Sequence, residues 1–88
     1  MTTELKPQLA LGYRLQWEPI QENHVLLYPE GMVKLNDSAS AILAKCTGEY
    51  SLAEIATQLE TEYETEELLN DVTALVTEAI ERGWVRYV

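Results

Sequence analysis

The hydrophobic period of this chain changes once, near Asn36, and that change limits the fold more than any other feature. Before it, apolar and polar residues alternate. In "YRLQWEP", Tyr13, Leu15 and Trp17 share one side while Arg14, Gln16 and Glu18 share the other. This is the period of a half-buried strand, and Pro19 ends it. After the polar connection "IQEN", the stretch "HVLLYPEGMVKLND" from His24 to Asp37 reads as two short strands around Pro29-Glu30-Gly31. Proline presets φ at the first central turn position, and glycine accepts the φ > 0 that a tight hairpin often needs. An antiparallel meander of three strands therefore fills the chain up to Asn36.

Beyond Asn36 the period is helical. "NDSASAILAKC" opens with three residues suited to cap a helix and runs toward Gly48. Ser51-Leu52-Ala53-Glu54 is a capping box, and Leu52, Ile55, Ala56 and Leu59 form the stripe of a second helix. The polar run "ETEYETEE" separates it from a third, for which Thr65 is the expected cap and Glu66 and Glu67 suit the positive end of the dipole. Leu68, Leu69, Val72, Leu75, Val76, Ala79 and Ile80 recur at helical spacing, and Gly83 sits where the helix should stop. At 1.5 Å per residue this helix would be on the order of 23 Å long. "WVRYV" closes the chain as an extra strand or a packed cap. Residues 1–12, punctuated by Pro7 and Gly12, read as a flexible N-terminal arm. The expected fold class is α+β, winged-helix-like: a three-stranded antiparallel sheet followed by three helices, in a single domain over residues 13–88.

A winged helix suggests DNA, but the charge excludes nucleic acid as a partner. The chain carries 15 acids against 6 bases. Residues 49–88 hold ten of the acids and two of the bases, and no Lys or Arg lies between Cys46 and Glu81. A recognition helix from that region would meet about one negative charge per 1.7 Å of duplex with no cation to offer. The same field disfavours anionic membranes and favours basic or apolar partners. No apolar run approaches the roughly 20 residues that span a bilayer, and "MTTELKPQLA" lacks the pattern of a signal peptide, so a cytoplasmic protein is expected.

Catalytic chemistry has no footing either. His24 is the one histidine, at a strand start without an acid or thiol at motif spacing, and reads as solvent-facing or stacked on Trp17. Cys46 follows Ile42 and Leu43 at helical spacing and reads as a buried or half-buried thiol. The acids lack the Asp/Asn-Gly framework of a calcium loop, and the four glycines are scattered. No catalytic, cofactor-binding or metal-ligating residue is expected, and the chain is not read as an enzyme. Trp17 and Trp84 are read as core anchors.

Binding is what remains. "MVKLN" ends the meander, so one of its edges lacks a partner, and only Lys34 guards it. An extended peptide fits such an edge, with its apolar side chains resting on a neighbouring helix. The competing reading is that Met32, Val33 and Leu35 simply fill the core.

"LLYPEGMVKLN", followed by "SA.AIL..C.GEYSLAEIA..L" and a closing "GW", resembles the PqqD family of pyrroloquinoline quinone (PQQ) biosynthesis, over Pro7 through Trp84. The resemblance implies a peptide chaperone, or RiPP recognition element. Such a protein binds the precursor peptide PqqA by strand addition and presents it to PqqE, a radical S-adenosylmethionine enzyme that cross-links a glutamate to a tyrosine within that peptide. It implies no cofactor. By the motif match, Met32, Val33, Lys34, Leu35 and Asn36 would be the edge and the third helix the wall. Position along that helix, and no family motif, assigns Leu68, Leu69, Val72, Leu75 and Val76 to the wall, with Leu68 and Leu69 near the helix start facing the peptide. The alternative is a structural subunit that pairs the same edge with a second copy, giving a weak homodimer instead of a monomer.

Overall fold

The computed structural model describes residues 5–88. In chain order the elements are β1 (Pro7–Leu9), β2 (Arg14–Glu18), β3 (Asn23–Tyr28), β4 (Gly31–Lys34), α1 (Asp37–Ala44), α2 (Leu52–Glu62), α3 (Leu69–Glu81) and β5 (Val85–Tyr87). The architecture is α+β, with a three-stranded antiparallel sheet followed by three helices.

Strands β2, β3 and β4 lie side by side with β3 in the centre. The register sets Leu15 opposite Leu26 and Leu26 opposite Val33, so these three share a face. Near one end of the sheet Tyr13 stacks on Tyr28 with ring centroids 5.6 Å apart. Near the other, Trp17 meets His24 edge-on at 5.4 Å. Val25 and Leu26, neighbours on β3 and therefore on opposite faces, are both buried, so the central strand is covered on both sides. Trp17, expected as a core anchor, is instead 52% exposed because it stands on the outer strand β2. Trp84 is half-buried against the core, with the Arg82 guanidinium 5.4 Å from its ring.

A second sheet corrects the expectation of a flexible arm over residues 1–12. Pro7–Leu9 pairs antiparallel with Val85–Tyr87, and the Pro7 side chain is fully buried. Further bonds tie β1 to the α1–α2 connection, Leu9 N donating to Cys46 O at 3.3 Å and Gly48 N to Pro7 O at 2.9 Å. Residues 1–4 of the expected arm lie outside the described residues. The tail, left open as strand or cap, is strand β5.

Local signals explain the first two helices. Asn36 caps α1, its Oδ1 accepting from Ala39 N at 2.7 Å. Ser51 and Glu54 close the capping box of α2 at 3.1 and 2.8 Å. The third departs from expectation: Thr65 is not its cap. Glu64 and Glu67 adopt left-handed φ values of 52° and 62°, which delays the helix until Leu68 occupies the N-cap position without a side-chain cap bond. The Leu68 amide instead donates to Glu60 Oε2 at 2.9 Å.

The core lies among the helices, where Leu43, Leu52, Ile55, Leu59, Val72, Val76 and Ala79 are buried together with Val85 of β5. At about 1.5–3 kcal/mol per fully buried large aliphatic side chain, this cluster is the main stabilising term. Cys46 belongs to it; burial pushes its thiol up to about 12, so it stays protonated and unreactive near neutrality. Among the described residues no helix is long and apolar enough to cross a membrane.

Candidate functional site

The site begins at β4. Among the described residues β4 is the last strand of its sheet and pairs with β3 on one side only. Met32 is 49% exposed, Lys34 is exposed, and Val33 is half-buried opposite Leu26. The strand stops at Lys34, two residues short of the expected edge. Leu35 packs half-buried against the core and Asn36 is committed to capping α1, so neither extends the ladder.

What holds this corner is Asn23, which in the sequence is only the last letter of the polar connection "IQEN". Its Nδ2 donates to Leu35 O at 3.0 Å and to Asp37 Oδ1 at 2.9 Å. Its Oδ1 accepts from the buried Ser40 hydroxyl at 2.7 Å and from His24 N at 2.8 Å. One side chain thus joins the start of β3 to the turn from β4 into α1.

From Asn36 onward a groove of about 530 Å³ opens between α1 and α3. Asn36, Asp37, Ala39, Ala41 and Ile42 line one side; Leu68, Asp71, Val72 and Leu75 line the other. Leu59 and Tyr63 of α2 and its C-cap complete it, with Thr65 of the following loop. The α3 members fall at spacings of three and four, the pattern of a single helix face. Ile42, Leu59 and Val72 are buried beneath, whereas Leu68 and Leu75 are half-buried and Tyr63 is 62% exposed.

The expected wall is therefore only partly a wall. Leu68 and Leu75 face the groove. Val72 forms its floor and has no accessible surface, and Val76 is enclosed in the core. Leu69 packs half-buried against the core outside the groove. Periodicity identifies the apolar stripe of α3 but not which flank its neighbours cover. Asp37, Ala41, Ile42, Leu59, Tyr63 and Asp71 were not anticipated, since the groove forms only when three helices meet. The geometry suits non-covalent capture: among the described residues an edge strand is followed, two residues on, by the first residue of a largely apolar trough.

Comparison with known proteins points the same way. The sequence profile of the family "Coenzyme PQQ synthesis protein D (PqqD)" matches residues 23–85. A protein of Azotobacter vinelandii named "PqqA binding protein" is 51% identical over 80 residues, covering 90% of this chain and 87% of that one. One of the same name from Kluyvera intermedia is 39% identical over 87 residues, covering 98% and 95%. The fold matches the solution NMR structure of the PqqD truncation of Methylobacterium extorquens PqqCD, described as a functional and stand-alone RiPP recognition element. There the TM-score is 0.80 at 25% identity, with 98% of this chain and 93% of that one covered.

Proposed function

The chain belongs to the PqqD family, and on that premise we propose that it binds the precursor peptide PqqA and presents it to the radical S-adenosylmethionine enzyme PqqE in PQQ biosynthesis. It is a binding protein and not a catalyst. The observation that carries the reading is that β4 is an edge strand among the described residues and that the chain leaving it at Lys34 enters the lining of the groove between α1 and α3 two residues later, at Asn36. Backbone pairing along Met32–Lys34 supplies affinity that depends little on peptide sequence, and the trough supplies side-chain selectivity. Ordering a flexible peptide costs conformational entropy, which keeps the complex releasable to an enzyme. The proposal places the chain in the cytoplasm, where ribosomally made peptides originate.

The test is a titration of isotope-labelled protein with the synthetic precursor peptide, followed by NMR. The expected result is that amide shifts concentrate at Met32, Val33, Lys34, Leu68 and Leu75, while Val76 and the β1–β5 pair respond weakly. Shifts centred on β2 or β5 would reject this site, and no shifts at saturating peptide would reject the function.

A further inference from the structure

Among the described residues, the charged side chains lining the groove are Asp37 and Asp71, one on each side, both exposed, with no Lys or Arg beside them. The ion pairs among the described residues lie elsewhere: Lys45 holds Glu62 at 2.6 Å and Arg82 holds Glu78 at 2.9 Å. Among the described residues, the Asp37 carboxylate accepts from the neutral Asn23 amide and meets no cation. The loop entering α3 adds Glu64, Glu66 and Glu67, all exposed. Lys34, exposed and in no ion pair among the described residues, stands on β4 and not in the groove. The trough is thus apolar at its floor and negative at its rim.

We propose that the groove selects, from the bound peptide, a segment in which an apolar side chain is accompanied by a Lys or Arg. The inference rests on the peptide-binding reading above and adds to it the charge of the segment chosen. In an extended peptide, residues two apart lie on the same side, about 7 Å from one another. An apolar residue seated over Ile42, Leu59 and Val72 therefore leaves its neighbour at i±2 near the rim. A long basic side chain there reaches Asp71 or Asp37 while its methylene stem stays on apolar surface. An acidic side chain in the same place meets uncompensated like charge, so the rim rejects as well as attracts.

A different role for the two carboxylates has to be separated from this one. Each lies in the first turn of its helix, where a negative charge offsets the helix dipole. A purely helical role predicts that neutralising Asp71 lowers the melting temperature and leaves peptide affinity unchanged.

Calorimetric titration of the full chain at low salt distinguishes the two. The probes are the synthetic precursor peptide, versions with each Lys or Arg changed singly to Gln, and one with the sensitive residue changed to Glu. Against them stand the unaltered protein, Asp71→Asn and Asp71→Lys. One Lys/Arg→Gln peptide should bind roughly two- to fivefold more weakly, as expected for a solvent-accessible ion pair. Asp71→Asn should cause a similar loss that does not add to the first. Asp71→Lys should regain affinity for the Glu peptide. The peptide substitutions leave the protein untouched, so they decide the matter even if an Asp71 variant unfolds. If the unaltered peptide binds but no Lys/Arg→Gln change weakens it, the charge selection is wrong and the peptide-binding reading stands. If the unaltered peptide fails to bind the folded protein, the peptide-binding reading itself fails.

Discussion

Asn23 carries more connections than any other side chain near the site, spanning β3, the end of β4 and the first turn of α1. Asn23→Ala should lower stability by about 1–3 kcal/mol, because the Ser40 hydroxyl is buried and loses its acceptor. Urea unfolding measures the loss. Peptide affinity should fall as well, since the strand-to-groove corner is no longer fixed; normal affinity in a destabilised protein would show that Asn23 serves the fold alone. Nothing in the local sequence marks this residue, because an Asn after "IQE" looks like ordinary turn chemistry and its four partners lie up to 17 positions away. Ser51 is the opposite case: its partner is three residues on, and the capping box is legible from four letters. What a sequence reveals at this scale follows how far the bonding partner lies along the chain.

Among the elements, β4 is the one on which the proposed function depends. Successive residues of an antiparallel strand aim their amides alternately at the neighbouring strand and away from it. Of Val33→Pro and Lys34→Pro, one therefore removes a donor from the free edge and the other breaks a bond to β3. The expected outcome is that one variant keeps its fold, by circular dichroism, yet loses most of its peptide affinity. The other should lose stability first. Two folded variants with unchanged affinity would exclude strand addition at this edge. Strands β2 to β4 and the three helices were legible because each repeats its period over several residues. The apolar stripe of α3 was legible too, but Leu75 and Val76, adjacent in it, end in the groove and in the core. Only the placement of α1 and α2 decides between them. Strand β1 left no signal: three residues are too few for a period, and its partner β5 lies at the far end of the chain.

For the molecule as a whole, charge asymmetry is the feature with a kinetic consequence. Residues 49–88 carry ten acids and two bases, so α2, α3 and their connection form a strongly negative half. Such a field raises encounter rates with a basic surface more than it deepens final affinity. If the proposed partner enzyme presents such a surface, association with it should slow as salt rises and the screening length contracts from about 30 to 8 Å. Stopped-flow measurement at several salt concentrations reads this directly, and a flat rate would leave the acids as solvated surface. The pairing of β1 with β5 has a consequence of a different kind. Val88 N donates to Lys6 O at 2.9 Å, which brings the two ends of the described chain together. A tether leaving from either side of this seam starts at nearly the same point. A short linker from Val88 to Lys6 would let the described chain be opened at an exposed loop instead, with the pairing of β1 and β5 kept.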